Sequence, residues 1–304
     1  MTDIKFDDDQ VMAAIEPYFQ RVLLASSHEG RRILRERRGA LLYDALRNLG
    51  AQWLGRRKAR NSAAVERYYS DSYAAALASI NDGYAPNGPT KFYRLGSDRL
   101  IGMSMLGLLS AYLAAMVAAI AALQPRSVCE VGFGTGKNLF YLAPRFPKIA
   151  FSGFELTASG VATARAIQSL PSLPPHFDQW IGRSDLSAST VIRSIDFQQG
   201  NAAALPAADK SVDVAMTMLA LEQMADILPR ALSEIHRITR RHVVFLEPFR
   251  EANDIPGFLH LKSRNYFRAG EREIAAAGFR PLTMISNLPN KLTFGAAMLV
   301  AEVV

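Results

Sequence analysis

Apolar residues follow two different rhythms along this chain. Between residues 10 and 80 they recur every three or four positions. Val11 to Ser26 reads as a helix interrupted by Pro17, Arg31 to Leu54 carries Leu34, Leu41, Leu42, Leu46 and Leu49 on one side, and Asn61 to Ile80 forms a further helical stretch. Asn81 to Pro89, with Asp82-Gly83, Pro86 and Gly88-Pro89, reads as a loop. From residue 125 onward, short apolar runs alternate with helical segments. Strands are predicted near 127–131, 149–154, 194–198, 212–217, 242–246, 281–286 and 294–303, with the clearest helices at Ala158–Leu170, Ile227–Arg237 and Glu271–Ala277. Such alternation requires a mostly parallel sheet with helices on both faces, and the closely spaced last two strands suit an antiparallel edge pair. Pro171 to Thr190, with Pro174, Pro175, His176 and Trp180, interrupts the alternation as a surface insertion able to cover a substrate.

Leu100 to Gln124 contains no charged residue and is long enough to cross a membrane. It is rich in alanine and runs directly into the first strand of the alternating region. We therefore read it as a helix buried on the sheet, with no stable membrane insertion. The remaining composition is that of an ordinary globular chain: 304 residues, 49% hydrophobic and 21% charged. Its single cysteine, Cys129, falls in a predicted strand and excludes a disulfide framework within the chain. The acidic start, Met1 to Asp9, is unlike a signal peptide, and together these features fit a cytoplasmic protein. The net charge of +7 is concentrated: Arg31 to Arg60 holds ten Lys or Arg against Glu36 and Asp44. That segment is either a solvated helix face or an attraction for nucleic acid, anionic lipid or an acidic substrate.

The most informative motif is Val128-Cys129-Glu130-Val131-Gly132-Phe133-Gly134-Thr135-Gly136, a strand ending in an acid and three alternate glycines, with a helix from Lys137. Glycines let the backbone turn sharply and approach a ligand closely. A dinucleotide loop needs G-x-G-x-x-G, and here Lys137 stands where its third glycine belongs. Glu130 would repel a phosphate and attract an amino group. About 20 residues on, the second strand ends in Glu155, where this type of fold places an acid for ribose hydroxyls. The segments Phe197–Pro206 and Ser211–Met224 follow in order.

This E-x-G-x-G-x-G pattern resembles the first motif of the class I S-adenosylmethionine (SAM) methyltransferases. Gly200-Asn201-Ala202 through Leu205-Pro206 resembles that family's adenine-reading segment, and Ser211–Met224 resembles its fourth strand. The resemblance covers about residues 125–304. It implies an α/β fold with a seven-stranded, mostly parallel Rossmann-like sheet: residues 1–95 form a helical module and 96–304 the SAM-binding domain. It implies SAM as cofactor, S-adenosylhomocysteine as product, and cofactor contacts from Glu130, Gly132, Phe133, Gly134, Thr135, Gly136, Asn138, Glu155, Leu156, Asn201, Ala202, Met218 and Leu219. Asn201 replaces the usual Asp but still accepts through its carbonyl oxygen. Leu219 and Gln223 stand where many relatives carry histidine, which removes the easiest general base.

Glu222, His260 and Tyr266 follow the fourth and fifth strands and are the catalytic candidates. Tyr68, Tyr69, Tyr73, Tyr84 and Tyr93 crowd the join between the two regions and suit either a lid or a core. Arg94 and Arg99 suit the SAM carboxylate. No His/Cys cluster has metal-ligand spacing, so no metal is expected. The leading functional reading is methyl transfer to a small-molecule acceptor, an enzyme of the EC 2.1.1 type, with the helical module as substrate cover or homodimer contact. RNA methylation through the basic segment, SAM binding without catalysis, and lipid N-methylation stay open.

Overall fold

The computed structural model describes residues 6–55, 62–78, 89–173, 180–181 and 186–304. Its centre is a seven-stranded sheet in the order β6-β5-β4-β7-β8-β10-β9. These strands are β4 (Ser127–Val131), β5 (Ala150–Glu155), β6 (Asp196–Gln199), β7 (Val212–Met218), β8 (Thr239–Glu247), β9 (Phe279–Ile285) and β10 (Ala297–Val303). The first five pair in parallel, and β10 runs antiparallel to both β8 and β9. This is the sheet expected from the sequence, antiparallel edge included.

The central strands are apolar at nearly every position because both faces are covered. In β8, Val244 and Leu246 enter one core while Val243 and Phe245 enter the other. The uncharged stretch divides at Ser104, whose side chain accepts the Gly107 N–H at 3.0 Å and starts helix α4 (Met105–Leu123). By length and composition α4 could cross a membrane. Here it is the core helix of one face, burying Leu108, Ala111, Leu113, Met116 and Ile120. On the other face α8 (Leu228–Ile238) buries Ala231, Leu232, Ile235 and Ile238, one side of a strongly amphipathic helix. Helix α5 (Lys137–Leu142) follows β4, α6 (Ala158–Gln168) follows β5, and α7 (Leu186–Arg193) leads into β6. Beyond β8 lie α9 (Ile255–Arg264) and α10 (Glu271–Ala276).

The N-terminal region contains the expected helices α1 (Asp8–Ile15), α2 (His28–Trp53) and α3 (Ser62–Ala78). It also contains a three-stranded antiparallel sheet, β1 (Arg21–Leu24), β3 (Arg99–Met103) and β2 (Lys91–Leu95), which the helical reading did not include. The β2–β3 hairpin crosses the residue 95/96 position taken as the domain boundary. This layer is attached to the main domain by packing and by polar ties. Helix α1 packs on α4, α2 on α9, and α3 on α6. Asp254 bonds both Arg38 and Arg94 at 3.0 Å, and Arg94 and Asn290 exchange backbone hydrogen bonds. Tyr84, His176 and the basic residues 56–60 lie outside the described residues.

Candidate functional site

The carboxyl ends of β4, β5 and β7 open onto a cavity of about 300 Å³. Its floor is the 132–136 loop. At Gly134 φ is +61° and an added Cβ would stand 2.8 Å from the Tyr73 hydroxyl; at Gly132 φ is +84° and a Cβ would stand 2.6 Å from that of Ala220. Both the turn and the close approach therefore need glycine.

Glu155 fixes this loop. Its Oε2 accepts the Gly134 N–H at 3.0 Å, and its Oε1 accepts the Thr157 N–H at 2.9 Å and the Thr157 hydroxyl at 2.8 Å. Thr157 in turn caps α6 by accepting the Gly160 N–H. Burial pushes the Glu155 carboxyl up, opposed by the hydrogen bonds from Thr157 and Gly134. Beneath the loop Glu130 is fully buried. Its Oε1 accepts from Asn138 Nδ2 at 2.6 Å, while Oε2 has no partner among the described residues. Burial raises this carboxyl to about 8, with the neighbouring Glu155 charge adding to the rise.

A second buried carboxylate shapes the opposite wall. Glu247, at the end of β8, accepts the N–H groups of Ala220 and Leu221 on Oε1 at 3.0 Å and that of Glu222 on Oε2 at 3.1 Å. It thereby holds the turn after β7, where Leu219 sits at φ +54° and its N–H bonds the Leu246 carbonyl. Burial raises Glu247 also to about 8, and Glu222 raises it further.

Among the residues expected to touch cofactor, Gly132, Phe133, Gly134, Thr135, Asn138, Glu155, Leu156, Asn201, Ala202, Met218 and Leu219 line this cavity together. Glu130 lies below it, bonded to Asn138, and Gly136 starts α5. Asn201 spends its side-chain oxygen on the Ala203 N–H at 2.9 Å, so its amide nitrogen is the end left for a ligand. The roof comes from α3. Val65, Glu66, Tyr69 and Tyr73 share one helical face over the cavity, and the rings of Tyr69 and Tyr73 lie 5.4 Å apart. Burial, reinforced by the nearby Glu155 charge, holds the Tyr73 phenol neutral. Lys137 also faces the cavity, and burial lowers its amine. Sequence reasoning did not single out Lys137 or Glu66 as ligand contacts; only the crowding of tyrosines near the join signalled the roof.

The catalytic candidates are not gathered here. Glu222 accepts from Gln223 Nε2 at 2.8 Å and lies outside the cavity lining, whereas Gln223 and Met224 belong to it. His260 stacks on Phe294, and Tyr266 meets the same ring edge-on, at centroid distances of 6.1 and 6.2 Å. Burial lowers the His260 imidazole to about 4. Neither residue lines the cavity. Arg94 pairs with Asp254, and Arg99 with Asp98, away from it. Tyr93 is buried in the core. Burial pushes the Cys129 thiol up to about 12, a structural rather than reactive environment. No cluster of metal-ligating side chains occurs among the described residues.

The cavity fits the cofactor expected from the motifs. The glycine cradle admits close backbone approach, Glu155 keeps one acceptor site at the end of β5, and the unpartnered Glu130 oxygen is a further polar atom below Asn138. Residues 129–246 match the family model described as a methyltransferase domain. No curated protein matches the sequence. Among solved structures, PigF bound to SAH is 17% identical with a TM-score of 0.51, the match covering 90% of this chain and 72% of that one. The 4+2 cyclase SpnF is 17% identical with a TM-score of 0.50, covering 81% of this chain and 97% of that one. At these identities the likeness is one of fold. The family match, the sheet order and the glycine motif converge: residues 129–246 are a class I SAM-dependent methyltransferase domain, with SAM as its cofactor.

Proposed function

We propose that this protein transfers the SAM methyl group to a small-molecule acceptor admitted beneath α3. The supporting observation is the largely apolar far side of the cavity. There Val65, Tyr69 and Tyr73 of α3 face Leu109, Met218, Leu219, Met224 and Ile227. An apolar lining with a few polar groups is that of a small-ligand pocket. The basic residues of α2 do not line it, which weighs against the RNA reading.

The cofactor supplies a methyl group already activated on a sulfonium. The chain's work is to bind, orient and exclude water. In our reading Glu155 takes a ribose hydroxyl with its remaining acceptor site, Asn201 and Ala202 the adenine edge, and Asn138 with Glu130 beneath it the amino-acid end. Residues 1–95, through α3, supply the cover. A proton leaving the acceptor passes to water or to the Glu66 carboxylate, which faces the cavity, rather than to His260 or Tyr266.

Calorimetric titration with SAM and S-adenosylhomocysteine tests the cofactor assignment. A mass-spectrometric screen of metabolite and RNA pools then tests the acceptor. Methylation of small molecules, with Tyr69→Ala changing the acceptor KM and not the SAM Kd, is expected. Methylation confined to the RNA fraction would overturn the proposal, and SAM binding with no transfer to any fraction would favour a binding protein.

A further inference from the structure

The outer face of α2 has no role in the site above. Its inner face buries Gly30, Leu41, Ala45 and Asn48 against the protein, next to α9. On the opposite side Arg32, Arg35, Gly39, Tyr43, Leu46, Gly50 and Trp53 succeed one another at steps of three or four and form one continuous ridge. Its second half is apolar and open to solvent: Tyr43 is 66% exposed, Leu46 60%, Trp53 86% and the adjoining Leu54 55%. Its first half is cationic, with Arg31, Arg32 and Arg35 all exposed. A large exposed apolar ridge of this kind marks an interaction surface.

We propose that this face of α2 docks on an anionic lipid surface. Tryptophan and tyrosine beside leucine, bordered by arginine, suit the boundary between headgroups and acyl chains. There the rings and aliphatic side chains leave water while the guanidinium groups stay among the headgroups. The charge is complementary, because Arg31, Arg32 and Arg35 are exposed at this end of the helix and Asp44 is paired with Arg47. That same charge opposes a second copy, since a two-fold contact would press two such segments together. An RNA strand would satisfy the arginines but leave Leu46 and Leu54 without a partner.

The test uses the full chain with phosphatidylcholine vesicles prepared with and without phosphatidylglycerol. Co-sedimentation is expected with the anionic vesicles only and should fall as salt rises. Arg32→Gln and Arg35→Gln should each weaken partitioning about fivefold. The double change Leu46→Ser/Trp53→Ser should weaken it on the order of tenfold or more. Because these side chains are exposed, melting temperature should stay unchanged, which separates lost docking from lost folding. With brominated acyl chains, Trp53 fluorescence should be quenched, and Trp53→Phe should remove the quenching while retaining binding. Failure of the wild type to bind anionic vesicles would overturn the proposal. So would vesicle binding indifferent to the Leu46 and Trp53 changes, or a concentration-dependent dimer dissolved by those same changes.

Discussion

Replacing Glu155 with alanine should cause two separable losses. The side chain accepts two buried backbone N–H groups, from Gly134 at 3.0 Å and Thr157 at 2.9 Å. Alanine leaves both without an acceptor, at about 1–3 kcal/mol each. At about 2 °C per kcal/mol for a chain of this length, the expected fall in melting temperature is about 4–12 °C. The cofactor loss is independent of that. With three of its four acceptor sites taken, the carboxylate has one left for a ribose hydroxyl, worth about 1.5–3 kcal/mol, so the SAM Kd should rise about ten- to a hundredfold. Differential scanning calorimetry reads the first effect and titration calorimetry below the variant's melting range the second. An alanine variant that melts with the wild type would refute the tether. One that melts lower yet binds SAM with unchanged Kd would refute the ribose assignment alone. Glu155→Gln should fall between wild type and alanine in melting, because its amide oxygen still accepts one of the N–H groups.

Glu130 and Glu247 are both held near 8 in the fold, above their unfolded values. Their stabilising contribution is complete below about pH 4.5 and is lost as pH rises through about 8, by up to about 1.4 kcal/mol per pH unit for each group. Melting temperature should therefore fall between about pH 4.5 and pH 8, and Glu130→Gln should flatten that slope. Gly134→Ala must hold a φ of +61° and push a methyl group against Tyr73; a loss of about 1–2 kcal/mol in denaturant unfolding, with weakened SAM binding, is expected. Lys210 sits at φ +50° in an exposed turn, so Lys210→Gly should raise unfolding stability by about 1 kcal/mol and leave SAM affinity unchanged.

The parts of the site legible in sequence are those where the chemistry is local. Strand, glycine turn and helix occur within a few residues around Gly132, and Glu155 terminates the next strand. Local geometry thus dictated the residue types that the motif displays. The roof was less legible. Tyr69 and Tyr73 reach the cavity because α3 packs on α6, a contact between residues about 90 apart in sequence, such as Thr163 donating to the Tyr73 carbonyl at 3.1 Å. No periodicity encodes that pairing. Position after a strand was also a weak guide. Glu222 follows β7 yet lies outside the cavity lining, and His260 turns toward Phe294. The N-terminal sheet stayed hidden because its third strand is embedded in an uncharged run that reads as helix throughout, and the division depended on recognising Ser104 as a cap.

The placement of β10 bears on how the molecule is made. It is synthesised after both of its neighbours, yet it lies between them, with Leu299 paired to Phe245 on one side and to Met284 on the other. Until residues 297–303 leave the ribosome, β8 presents an open apolar edge and β9 has no partner strand. The sheet therefore cannot be completed before β10 has emerged, and the nascent chain is most prone to misassociate in that interval.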